Sequence, residues 1–241
     1  MKENTEKKGF LFRWSKESAR WFEEAYLFSD YHKILADKIC AAVPADASCC
    51  ELACGNGSLA RSVAPRVGSY TANDIDPNAI QWLSEKKEEE GHDNIETVLG
   101  DWKKVLDGKQ YDAVIFSFFG AVLTDWDRLK EMTKDRLLII VPRERKNMKP
   151  NRFNKGHRAE TYERILEFFN ENDVNYEAEA LDLEFGQPFY NMDDALQYVE
   201  YYYTITGDEA QDFIREKFQK TDYGWYFPKL KQIGFISADM K

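Results

Sequence analysis

A short apolar run, Ser48-Cys49-Cys50-Glu51-Leu52-Ala53-Cys54, carries one acid, breaks at Gly55 and Gly57, and resumes in helical register from Ser58. That order reads as a strand, a tight turn and a helix start. Glycine suits such a turn because a backbone without a Cβ can bend sharply and let a ligand approach closely. The free amides that open the following helix then point at whatever rests on the turn. Few architectures other than an α/β sheet use this arrangement.

The rest of the chain repeats the alternation. Ser69 to Asp74 reads as a second strand ending in acids, and Asp76-Pro77 caps and opens a helix to about Glu90. Ile95 to Leu99 is a third strand, followed by Gly100-Asp101-Trp102. Asp112 to Phe116 is a continuous apolar run, the mark of a strand buried on both faces. A helix from Thr124-Asp125 to about Lys134 leads to a fifth strand over Arg136 to Val141. Beyond it come a helix to Asn170, a strand over Tyr176 to Phe185, two helices near 193–220, and a last strand over Ile233 to Asp239. Ahead of the glycine turn, Trp21, Ala25, Phe28, Leu35 and Ile39 mark two helices, 16–28 and 30–42. This predicts one α/β domain over 1–241: a helical N-terminal cap (1–44), a core (45–142), and a C-terminal half (143–241) with a helical insertion. The sheet is doubly wound, seven-stranded and mostly parallel, with an antiparallel edge where the last strand returns. Ligands of such sheets bind outside the carboxyl ends of the strands. Gly55, Asp74, Asp101 and Ser117 all fall at such ends.

Glu51, Ala53, Gly55 and Gly57 resemble the first motif of the class I, Rossmann-like, S-adenosylmethionine-dependent methyltransferases. Ala53 stands where that family often has glycine, a mild change. The resemblance covers residues 45–142 and implies a methyltransferase with S-adenosyl-L-methionine as cofactor. It implies cofactor contacts from Glu51, Ala53, Gly55, Asn56 and Gly57 in the turn. Asp74 would meet the ribose hydroxyls, since a carboxylate offers acceptors to both. Asp101 would meet the adenine amino group, with Trp102 or Ile75 over the ring, and Ser117 would lie nearby. Glu51 would face the methionine ammonium. No metal is implied. The family's Asn/Asp-Pro-Pro-aromatic run after the fourth strand, found in enzymes methylating bases or glutamine, is replaced here by Ser117-Phe118-Phe119-Gly120. A small-molecule O-, N- or C-acceptor is therefore expected, and Tyr31 and His32 are the candidate catalytic groups.

Two other readings stay open. Gly55-Asn56-Gly57-Ser58-Leu59-Ala60 also fits the dinucleotide fingerprint of an NAD(P)-dependent oxidoreductase, with Asp74 as its ribose acid. Glu51 opposes it, because a pyrophosphate would meet that acid's charge, and no second substrate domain follows. A non-catalytic nucleotide-binding protein is the third. The net charge of −10 argues against a general nucleic-acid coat. Arg143, Arg145, Lys146, Lys149, Arg152, Lys155 and Arg158 form a local basic run that can attract an anionic acceptor. No apolar run approaches the ~18 residues of a membrane span, Met1 to Lys8 reads as a polar tail, and four cysteines do not make a disulfide framework. A cytoplasmic location is the expectation. Oligomeric state has no signal in the sequence.

Overall fold

The structure is a computed structural model and describes residues 13–144 and 160–241. Two helices come first. α1 (Lys16–Phe28) opens on a reciprocal cap, in which the Ser18 amide donates to Ser15 Oγ at 3.1 Å and the Ser15 amide to Ser18 Oγ at 2.9 Å. α2 (Tyr31–Ala42) buries Tyr31, Leu35 and Ile39, one turn apart. β1 (Ser48–Leu52), α3 (Ser58–Val63), β2 (Ser69–Asp74), α4 (Pro77–Glu90) and β3 (Ile95–Leu99) follow in βαβ order. α5 (Trp102–Val105), β4 (Tyr111–Ser117), α6 (Trp126–Met132) and β5 (Thr133–Pro142) complete the first half of the fold. The second half holds α7 (Tyr162–Glu171), β6 (Tyr176–Glu184), β7 (Gln187–Phe189), α8 (Met192–Tyr203), α9 (Gly207–Lys217), β8 (Gln219–Thr221), β9 (Gly224–Phe227) and β10 (Leu230–Asp239).

Seven strands form the main sheet in the order β3-β2-β1-β4-β5-β10-β6. β1 to β5 pair in parallel, and β10 runs antiparallel to both of its neighbours. β10 and β6 thus form the expected antiparallel edge of the sheet. β10 slots between β5 and β6, and the strand before it in the sheet's second half takes the outer position. The order reverses between β1 and β4, so the loops after these two strands part and leave a crevice at their carboxyl ends.

Successive residues of β1 serve opposite faces. Cys49 joins the core beneath α2 and α3 with Leu35, Ile39, Leu59 and Tyr70. Cys50 joins the opposite core beneath α6 and α7 with Phe116, Leu129, Ile165 and Phe169. Both are fully buried, in no disulfide, and fill space as small apolar side chains.

A second, three-stranded sheet, β7-β9-β8, was not legible in the sequence. With α8 and α9 it surrounds its own core of Trp21, Phe189, Tyr198, Val199, Ile214 and Phe218. Its formation shortens the helix expected to reach residue 220, because Gln219–Thr221 pair with β9 instead. Of the basic run, Arg143 is described and its guanidinium is bound to Asp182. Arg145, Lys146, Lys149, Arg152, Lys155 and Arg158 lie outside the described residues. Among the described residues no helix is long and apolar enough to cross a membrane.

Candidate active site

One cavity of about 520 Å³ opens at the crevice between β1 and β4. Its first wall is the turn after β1. Gly55 and Gly57 both adopt left-handed backbone, at φ +57° and +76°. A Cβ on Gly57 would stand 2.3 Å from Leu83 Cδ1, so only glycine lets α3 start so close to α4. Ala53 is also left-handed, at φ +57°. The alanine read as a mild change from glycine is therefore a strained one, at about 1–2 kcal/mol.

Two acids flank the turn. Asp74, at the end of β2, accepts from the Gly55 amide through Oδ2 and from the Asp76 amide through Oδ1, each at 2.8 Å. Each oxygen keeps a further lone pair for a ligand. Burial raises the Asp74 carboxyl above its ordinary value despite these bonds. Glu51 is 2% exposed and accepts from the Tyr70 hydroxyl at 2.9 Å. Burial first, and the Asp74 charge after it, push Glu51 up to about 8 against the pull of that hydrogen bond. A cation beside this acid would favour its charged form. Asn56 Nδ2 is buried with no hydrogen-bond partner among the described residues, a donor awaiting an acceptor.

The opposite wall is aromatic. Phe22 of α1, Tyr31 and His32 of α2, Phe118 and Phe119 after β4, and Phe185 after β6 line it, with Lys231 of β10. Phe185 sits at its centre, 5.0 Å from Phe22, 4.8 Å from Tyr31 and 5.2 Å from His32, ring to ring. Burial, reinforced by the charges of Arg61 and Lys231, drives His32 down to about 3, and burial raises the Tyr31 phenol. Both are uncharged at neutral pH.

Of the residues singled out in the sequence, the cavity gathers Tyr31, His32, Glu51, Ala53, Gly55, Asn56, Asp74, Ile75 and Ser117. Three are elsewhere. Gly57 shapes the turn from beneath. Asp101 caps α5, accepting from the Lys103 amide at 3.1 Å. Trp102 points into the core with Val114 and Leu129, and the Lys103 and Arg128 cations lie over its ring. As the first helical residue after the cap, Trp102 is turned towards the sheet and away from the cavity. Ile75, 47% exposed, remains at the rim.

Sequence reasoning overlooked Trp14, Phe185 and Lys231. Trp14 precedes the capping Ser15, the place where an apolar side chain fixes the entry to a helix, and that signal was readable. Phe185 and Lys231 come from strands far apart in the chain, and nothing local announces them.

Residues 50–136 match a family model described as a methyltransferase domain. No curated protein sequence matches the chain. Among solved structures, a methyltransferase described as putative from Bacillus halodurans C-125 superimposes with a TM-score of 0.57 at 15% identity, covering 86% of this chain and 97% of its own. The YcgJ protein of Bacillus subtilis gives 0.55 at 15% identity, over 86% and 97%. A geranyl diphosphate methyltransferase in complex with S-adenosylmethionine gives 0.57 at 12% identity, over 94% and 92%. At such identities these likenesses carry the fold alone.

Proposed function

We infer, for a chain carrying a class I, S-adenosylmethionine-dependent methyltransferase domain, that the cofactor lies along the Glu51–Gly55–Asp74 wall and the methyl acceptor is a small molecule under the aromatic wall. The protein is a methyltransferase and S-adenosyl-L-methionine is its cofactor. The observation that carries the placement is a pair of buried acids, Glu51 and Asp74, brought to one left-handed glycine turn within a single cavity.

The residues fit the cofactor. Glu51, buried and with no counter-charge beside it among the described residues, matches an ammonium group. The remaining lone pairs of Asp74 match two vicinal hydroxyls, and the amides that open α3 face the turn. S-adenosylmethionine supplies a methyl group already activated on a sulfonium, so the protein need only align the acceptor and keep water out. Trp14 and Phe22, whose rings are 5.5 Å apart, close the cavity from the α1 side. His32, held near 3, is a hydrogen-bonding group at neutral pH and a poor proton acceptor. A nicotinamide dinucleotide fits worse, because Glu51 offers its pyrophosphate a carboxyl group and no cation.

The volume of about 520 Å³ suits the cofactor with a small partner. A calorimetric titration with S-adenosylmethionine, S-adenosylhomocysteine and NADH tests the placement. The two sulfur nucleosides are expected to bind wild type, and Asp74→Ala and Glu51→Gln to weaken them at least tenfold. Binding of NADH alone would overturn it.

A further inference from the structure

We propose that the methyl acceptor is a small, uncharged primary amine, whose two N–H groups are taken by Tyr31 Oη and His32 Nδ1 while its nitrogen lone pair is left to attack. This deepens the proposed function and rests on the cofactor lying along the Glu51–Gly55–Asp74 wall.

The geometry sets two unmet polar atoms side by side. Tyr31 and His32 are neighbours on α2, line the same cavity, and have ring centres 5.0 Å apart. Tyr31 Oη and His32 Nδ1 are both buried, and neither has a hydrogen-bond partner among the described residues. Leaving such groups unmet is unfavourable. A phenol oxygen accepts a hydrogen bond, and so does the bare ring nitrogen of a neutral imidazole. A primary amine brings two donors and a lone pair, so it can satisfy both atoms and still react. A hydroxyl brings one proton, and one of the two atoms takes it.

The fate of the proton decides between nitrogen and oxygen. A hydroxyl must lose its proton as its oxygen bonds to carbon, which calls for a base beside it. His32 is no such base, because burial first, and the charges of Arg61 and Lys231 after it, hold it near 3. Burial also opposes ionisation of the Tyr31 phenol. An uncharged amine needs no base. Its lone pair forms the N–C bond as the methyl–sulfur bond breaks, and sulfur keeps that bond's electron pair. S-adenosylhomocysteine leaves without the sulfonium charge, and the nitrogen carries that charge together with the methyl group and both of its protons. One of these protons passes to water after the product has left.

Burial keeps the amine reactive. A protonated amine has no lone pair, and an apolar surround disfavours its charged form as it disfavours that of His32. Phe22, Phe118, Phe119 and Phe185 supply that surround, and they call for an apolar body behind the nitrogen. The transferred charge is already in the cavity, on sulfur before the step and on nitrogen after it.

The test pairs calorimetry on protein loaded with S-adenosylhomocysteine with mass spectrometry of the products formed from S-adenosylmethionine. The probes are aniline, benzylamine and hexylamine, each beside its hydroxyl counterpart (phenol, benzyl alcohol, hexanol) and its N,N-dimethyl derivative. At least one primary amine is expected to bind about tenfold tighter than its dimethyl derivative, which has no N–H to donate. The same amine is expected to gain a methyl group about tenfold faster than its hydroxyl counterpart. Tyr31→Phe and His32→Gln are each expected to shrink the binding difference, while S-adenosylhomocysteine binds both variants as it binds wild type. Binding of benzylamine and hexylamine should strengthen as pH rises towards the amine's own ionisation, because the uncharged form grows. If no primary amine outbinds its dimethyl derivative, if the hydroxyl counterparts are methylated as fast, or if both variants keep the full difference, the proposal falls. If S-adenosylhomocysteine itself fails to bind wild type, the fault lies in the cofactor placement instead.

Discussion

The indole of Trp14 lies so close over Gly55 that a Cβ on the glycine would come to 3.0 Å from Trp14 Cζ2. The tryptophan is held from below as well. Its amide donates to Asp76 Oδ2 at 2.8 Å, and its carbonyl accepts from Asn78 Nδ2 at 2.7 Å. The N-terminal approach to α1 is thereby fixed to the two loops that shape the Glu51–Gly55–Asp74 wall of the cavity.

Gly55→Ala meets both obstacles, a left-handed backbone and the indole. It is expected to cost about 1–2 kcal/mol of stability and to weaken S-adenosylmethionine at least tenfold. Urea unfolding and a calorimetric titration read the two effects separately. Unchanged affinity would show that the turn does not shape the cofactor wall.

Ala53→Gly should go the other way. Glycine relieves the left-handed strain at this position, offset by its greater freedom in the unfolded chain, for a net gain of up to about 1 kcal/mol. A lower unfolding midpoint would show that the alanine methyl packs well enough to outweigh its backbone.

Asp76→Ala removes two bonds at once, the cap on α4 through Asn78 N at 3.0 Å and the tie to Trp14. A loss of about 1–2 kcal/mol is expected. The specific signature is faster hydrogen exchange at the Trp14 amide, which a purely local loss of the α4 cap would leave alone.

Cofactor binding should release a proton. Glu51 is protonated in the free protein below about 8, and a bound ammonium favours its charged form. Affinity is then expected to rise with pH, by at most tenfold per unit, until about pH 8. Stability of the free protein runs oppositely. Because the folded value exceeds the unfolded one, the contribution of Glu51 is complete at low pH. It is lost as pH rises towards the folded value. Binding heats that depend on the buffer's ionisation enthalpy in wild type, and no longer in Glu51→Gln, are the expected result. Buffer-independent heats in wild type would place the ammonium elsewhere.

Much of this was legible in the sequence because the α/β pattern is local. The two N-terminal helices, the capped helix after Asp76-Pro77 and the five parallel strands each announce themselves within a dozen residues. The Asp112 to Phe116 run even declared its own central position. The small sheet did not, because three-residue strands such as Gln187–Phe189 are too short to show a period. The position of β10 between β5 and β6 is a matter of long-range pairing, which no local pattern encodes. At the site, the acids and glycines were readable from the turn that carries them. Trp102 was not, because a residue beside a loop end can face either the crevice or the core, and one helical turn decides which. Of the aromatic wall, Tyr31 and His32 were readable on α2, whereas Phe22, Phe185 and Lys231 join them only once the sheet has closed.

Arg61 has a consequence for how molecules enter and leave. Its side chain is wholly buried, binding Glu23 of α1 at 2.7 and 2.8 Å and Glu90 of α4 at 2.9 Å. Breaking such a pair leaves a naked charge in the interior, at about 3–5 kcal/mol, so α1 is bolted to the body of the fold and does not swing as a door. Any change in the cavity's mouth on that side therefore falls to side chains such as Ile75 and Phe118, exposed at its rim, and not to a displacement of α1.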